Sequence, residues 1–113
     1  MEIKLLEKRE LLKLSTSKCN QGFVYFLFKE SIIVYIGSTT NLSGRLAIHE
    51  KEKDYNNYAY IICATNKRKI IESLYILKFN PIYNNGKLSV NKDNILWDKK
   101  AQIYKYISKN DAF

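Results

Sequence analysis

Two short apolar runs, Phe23–Phe28 and Ile32–Ile36, stand on either side of the polar segment Lys29-Glu30-Ser31. β-Branched and aromatic residues dominate both runs, and so brief a polar break predicts that they fold back on each other as a β-hairpin. That hairpin constrains the rest of the chain. Two strands alone do not hold together in water, so a further strand and a covering layer of helices have to come from elsewhere. Each run carries one tyrosine, Tyr25 and Tyr35, and the second run closes on Tyr35-Ile36-Gly37.

The flanking segments supply that cover. Glu2 to Leu14 contains no Gly or Pro and places Leu5, Leu6, Leu11, Leu12 and Leu14 at helical spacings, ending at Ser15-Thr16-Ser17. It is expected to be a helix lying over one side of the sheet. After the hairpin, Ser38-Thr39-Thr40-Asn41 offers cap oxygens, with Asn41 or Thr40 as the N-cap of a helix running to about Glu50. Leu42, Leu46 and Ile48 form its apolar side, and Gly44 in its first turns points to close approach of another backbone or a ligand.

Asn57–Ala64 reads as a third strand, with Cys63 in a buried setting. Thr65-Asn66 caps a second helix, Lys67 to Phe79, in which Ile70, Ile71, Leu74, Tyr75 and Leu77 follow the helical period. Pro81 stops it and Asn84-Asn85-Gly86 is a turn. Asp93 is expected to cap a last helix reaching about Lys109, burying Leu96, Trp97, Ile103, Tyr104 and Ile107 while Lys99, Lys100, Lys105 and Lys109 face water. The expected architecture is therefore α+β: a three-stranded antiparallel sheet flanked by helices, with an N-terminal helix (1–17) and a C-terminal helical extension (87–113) around a core at 22–84, all in one domain over 1–113.

Charge narrows the function. The chain carries a net +8, which predicts a polyanionic partner. The surplus is not spread evenly. Residues 21–66 balance at four bases against four acids, whereas residues 67–80 carry four against one and residues 81–113 six against three. A positive field thus surrounds a chemically mixed centre. Cys19 and Cys63 lie far apart and His49 is the lone histidine, so neither a zinc site nor a disulfide framework is expected. No apolar run approaches the ~18 residues that span a bilayer. The opening Met1-Glu2-Ile3-Lys4 lacks the apolar core of a signal peptide. These features lead us to expect an intracellular protein (cytoplasm, or a nucleus or viral factory) with no membrane partner.

Six polar positions stand out in order: Tyr25, Tyr35, Arg45, His49, Glu72 and Asn84. Singly, each has a commoner reading. The tyrosines are ordinary strand residues, Arg45 and His49 share a solvated helix face, Glu72 pairs with Arg68 or Lys69, and Asn84 belongs to a turn. Jointly they match a pattern. With the run from Glu72 through Pro81 to Asn84, the segment Gly22–Asn84 resembles the GIY-YIG nuclease family. That family has a tyrosine in each of the first two strands, an arginine on the next helix and a histidine or tyrosine one turn on. A glutamate follows on a later helix, with an asparagine just beyond it. Where the family usually has Gly-Ile-Tyr, this chain has Phe23-Val24-Tyr25, its glycine one place earlier at Gly22.

The resemblance implies a divalent-metal-dependent endonuclease cutting DNA. Glu72 would be the ligand of one Mg2+ or Mn2+ ion, Tyr25 the general base, and Arg45 the stabiliser of the phosphate. Tyr35, His49 and Asn84 would orient groups or exchange protons. With only the N-terminal helix and the segment after Asn84 left to supply specificity, a nuclease of limited specificity, a short recognition element or a homodimer cutting both strands are the alternatives. The physical chemistry is compatible: one carboxylate can hold a hard cation whose shell is otherwise water and phosphate, and a guanidinium fork suits phosphate oxygens. A phenol of ordinary pKa is a poor base unless nearby cations lower it. The competing readings are a catalytically inactive nucleic-acid-binding module of the same fold and a protein-interaction module using Trp97 and the tyrosines.

Overall fold

The computed structural model describes residues 2–15 and 21–107; Thr16, Ser17 and Cys19, and Lys109 at the expected end of the last helix, lie outside the described residues. The hairpin forms as expected. Strands β1 (Gln21–Lys29) and β2 (Ile32–Thr39) pair antiparallel through the two-residue turn Glu30-Ser31. Both turn residues lie in the left-handed region, at φ 50° and 68°, as a hairpin turn matched to strand twist requires. Strand β3 (Asn57–Ala64) joins the other side of β1, again antiparallel, giving the order β2-β1-β3. The protein is α+β, with β1 as the central strand.

Alternation along β1 divides the interior in two. Val24 and Phe26 point to one face with Ile36, meeting Ile76 from helix α3 (Arg68–Phe79). Tyr25 and Leu27 point to the other with Val34, meeting Leu42 and Leu46 from helix α2 (Leu42–Glu52). A register shift between Leu27 and Phe28 lets Val34 and the neighbouring Tyr35 both pack on the α2 face.

The caps are local chemistry. Asn41 caps α2, its Oδ1 accepting from the Gly44 N–H at 3.2 Å. A Cβ on Gly44 would come within 2.5 Å of the Asn41 side chain, so this glycine makes room for the cap itself rather than for a ligand or another backbone. Helix α3 enters through a 3-10 turn (Thr65–Lys67) without the expected side-chain cap. It ends at Asn80, left-handed at φ 46°, followed by Pro81. Its deepest residues are Glu72, Ser73 and Ile76; Ile71 and Tyr75 pack on the edge of the same core and, with Leu74, also border the C-terminal segment.

Three expectations fail. The N-terminal helix, α1, is only Lys8–Leu14 and buries nothing: its leucines, and Leu5 and Leu6 before it, are 43–82% exposed. Two turns of helix with no side-chain cap and no buried residue have little to extend them. The C-terminal helix is instead a hairpin, β4 (Ile95–Asp98) with β5 (Ile103–Tyr106). Asp98 explains why: its Oδ1 accepts from the N–H groups of Lys100 and Ala101 at 3.0 and 3.1 Å, and its carbonyl accepts from Gln102 at 2.7 Å. An aspartate that bonds the backbone just ahead of it offers a turn in place of a helix. Asp93 caps no helix, and Leu96, Trp97, Ile103 and Ile107 remain exposed. Finally, β3 is an edge strand and largely open to solvent, with Cys63 only half-buried.

Replacing Ile76 by alanine removes the most deeply buried apolar contact of α3 with the sheet and should destabilise the fold by about 2–5 kcal/mol. Leu12→Ser on α1 should change stability by no more than about 0.5 kcal/mol. Urea denaturation of both variants checks the contrast.

Candidate active site

Four successive residues of β2, Tyr35 to Ser38, each engage part of the expected constellation. Tyr35 contributes its own ring, 6.1 Å from that of Tyr25. Ile36 is clasped by Asn84, whose Oδ1 accepts from the Ile36 N–H and whose Nδ2 donates to the Ile36 carbonyl, both at 2.9 Å. Asn84 thereby acts as a one-residue strand on the outer rim of β2. Gly37 lies opposite Tyr25 across the ladder. A Cβ there would stand 2.4 Å from the Tyr25 hydroxyl, so the phenol rests where a side chain would be. Ser38 donates through Oγ to Glu72 Oε2 at 2.8 Å.

His49 completes the α2 side. It is only 4% exposed, not on a solvated face. Its Nε2 is 2.7 Å from the Tyr25 hydroxyl and its Nδ1 3.1 Å from the Lys53 ammonium. An ammonium only donates, so Nδ1 accepts, and the ring proton of the neutral imidazole sits on Nε2 and is donated to the Tyr25 oxygen. Lys53 also lies 4.6 Å from the centre of the Tyr35 ring, and its backbone N–H donates to the His49 carbonyl. Lys53 was not singled out from sequence; its place four residues after His49 on the same helix was the available signal.

Burial is the first cause acting on both phenols and raises them above their ordinary value. Each lies beside the other and within the field of Glu72, which raises both, while Arg45 pulls both down. Arg45 thus acts on these tyrosines in the direction a base requires, but burial outweighs it. His49 is lowered, first by burial, then by Lys53 and Arg45, against an opposing pull from Glu52. Arg45 itself is exposed on the first turns of α2.

Glu72 reaches the group from the opposite face of the sheet, on α3. It is 7% exposed and, among the described residues, forms no ion pair with Arg68, Lys69 or any other base. Oε2 accepts from Ser38 and, at 2.7 Å, from the Ser89 hydroxyl. The loop bearing Ser89 is itself tied to α3, since its N–H donates to Ser73 Oγ at 3.1 Å. No donor among the described residues reaches Oε1. Nothing in the sequence marked Ser89, seventeen residues beyond Glu72. The described residues contain no cluster of three or more His, Cys, Asp or Glu suited to a metal cage. What they offer a divalent cation is one buried carboxylate with a free oxygen, a donor set that fits a hard ion keeping most of its water.

Five of the six expected residues therefore meet about one strand, Tyr25, Tyr35, His49 and Glu72 through direct side-chain contacts and Asn84 as the clamp that holds the strand. Arg45 stands exposed on α2 and reaches the phenols only through its field. Gly22 is also accounted for. A Cβ on it would press within 3.1 Å of the Thr65 backbone and 3.3 Å of the Arg68 side chain, so its place is set by the entry to α3. No protein-family model, no curated protein and no solved structure matches this chain.

Because His49 is the lone histidine, proton NMR reads it directly. Its pKa should fall below the ordinary value of about 6.5 and rise in Lys53→Met, which removes the facing cation. The folded protein then binds fewer protons than the unfolded chain just below that value. The stability His49 contributes is complete above about pH 6.5 and is lost as pH falls through the folded pKa; thermal melts across this range should show the loss and its reduction in Lys53→Met.

Proposed function

We propose that this protein is a metal-dependent endonuclease of the GIY-YIG type that hydrolyses phosphodiester bonds in DNA. The observation that carries the proposal is Glu72: a buried carboxylate with no ion-pair partner among the described residues, one oxygen fixed by two hydroxyls and the other free, close enough to act on the buried phenol of Tyr25 and the half-buried one of Tyr35. Burying a carboxylate without a counter-charge is costly. A cation bound during function gives that cost a purpose. A divalent ion held by Glu72 would act as a Lewis acid toward charge on the phosphoryl oxygens.

The remaining roles follow from position. Arg45, exposed and close enough to influence both phenols, is suited to grip the phosphate with its planar fork. Tyr25, its oxygen oriented by the His49 Nε2–H, is the candidate to position water and take its proton. Tyr35 lies beside it to align the phosphate. Neutral His49 keeps the hydrogen-bond network fixed, and Asn84 keeps β2 from shifting under the group. The basic chain around this centre would draw in the polyanionic substrate and make binding fall with salt. A dimer acting on both strands is compatible with this reading.

Glu72→Gln keeps the side-chain volume and an acceptor for the two serines. It should reduce cleavage of plasmid DNA with magnesium by on the order of 10²–10³-fold or more while binding is retained. Unchanged cleavage in the variant would remove Glu72 and its metal from the reaction, and no cleavage by the wild type with magnesium or manganese would leave a binding module only. The pH–rate profile assigns the base. If Tyr25 takes the proton, burial of the phenol places the rising limb on the alkaline side and kcat/KM should still climb above pH 8; a plateau from neutrality upward would give the role to His49 instead.

A further inference from the structure

Between α3 and the β4–β5 hairpin lies an open groove of about 570 Å3, within the usual range for small-ligand sites. Three aromatic rings line it: Tyr75 from the helix, Trp97 and Tyr104 from the hairpin. Tyr75 is held rigid from behind, edge-on to Phe26 at 5.1 Å and stacked on Phe79 at 6.2 Å. Trp97 and Tyr104 stand 4.8 Å apart at 56°, and Trp97 is 49% exposed. Lys78 and the Gln102 amide are the polar groups of the lining. We infer that this groove takes unpaired nucleobases of a single-stranded or branched nucleic acid, stacking them on the aromatic walls while the lysines around it hold the phosphates.

Charge decides the occupant. Residues 67–107 carry nine Lys and Arg against three acids. Of those acids, Asp93 alone stays exposed, and Glu72 is turned into the candidate active site. Asp98 is consumed within the hairpin, where Lys105 Nζ lies 2.7 Å from its Oδ2 and two backbone N–H groups occupy its Oδ1. The turn between the lining strands presents Lys99 and Lys100 to solvent. An apolar peptide would satisfy the walls but leave this cationic surround unmatched. A nucleic-acid strand satisfies both, because every base has a stackable face and carries a phosphate. The Gln102 amide, donor and acceptor together, can pair with a base edge. Tyr75 lies one helical turn beyond Glu72 on α3, so the groove and the candidate active site are carried by the same helix. The inference deepens the nuclease reading but rests only on its nucleic-acid half.

Trp97 is the sole tryptophan of the chain, so its fluorescence reports the groove directly. Purified full-length protein in EDTA, which prevents metal-dependent cleavage, is titrated with an oligothymidine and separately with a blunt duplex of equal length. Saturable quenching that favours the single strand is expected. Tyr104→Ala should weaken it by roughly 5- to 150-fold, the equivalent of losing one base stack. Lys78→Glu, an exposed change that leaves the walls intact, should also weaken it and flatten its salt dependence. No quenching, equal quenching by the duplex, or full affinity in both variants would overturn the inference. Plasmid cleavage with magnesium, measured in parallel, separates the two readings. Cleavage without quenching removes the groove and leaves the nuclease; selective quenching without cleavage supports the groove and removes the nuclease.

Discussion

Everything at the candidate site depends on a missing side chain. Gly37 stands opposite Tyr25 on neighbouring strands, and the ring of Tyr25 lies where the Cβ of any other residue would be. Only because β2 is bare at that point can a residue of the central strand reach across to the rim, meet His49, and come under the influence of an acid anchored on the next residue, Ser38. The strand is the template. The groups it collects come from both faces of the sheet and from segments almost fifty residues apart, and they meet because each binds a consecutive position of one extended backbone.

The electrostatics of the group follow from burial rather than from net charge. A chain at +8 would be expected to depress its acids and phenols throughout. Yet both site tyrosines move the other way, because loss of water around an ionised phenol outweighs one exposed guanidinium. The same burial drives the imidazole toward its neutral form, with Lys53 adding to it. The resting site is thus a set of protonated phenols and a neutral histidine, next to one carboxylate whose charge has no partner within the described protein.

Local chemistry was legible in the sequence where one residue decides the outcome. Asn41 caps its helix, Pro81 follows a stop, and the polar break at Glu30-Ser31 turns the hairpin. The six site positions were legible as a pattern, and five of them meet at β2, with Arg45 exposed on the neighbouring helix. What escaped depends on tertiary partners. Glu72 reads as a solvated helical acid until Ser38 and Ser89 are seen to enclose it. The leucines of α1 read as a buried face, but no surface among the described residues receives them. The segment after Asp93 shows how two periods compete. Leu96, Trp97, Ile103, Tyr104 and Ile107 fit a helical wheel, while Ile-Leu-Trp and Ile-Tyr-Lys-Tyr on either side of an aspartate-nucleated turn fit a hairpin. The aspartate settled it, through backbone bonds that a helix would have required for itself.

The two rims of the central sheet are finished differently. Along β2, Asn84 occupies the outward backbone groups of Ile36, so that side is closed to further pairing at its most important residue. Along β3, eight residues without a charge or a proline form an edge with no further strand among the described residues. Any joining of molecules by sheet extension would therefore start from the far border, leaving the tyrosine-bearing border open to whatever it serves.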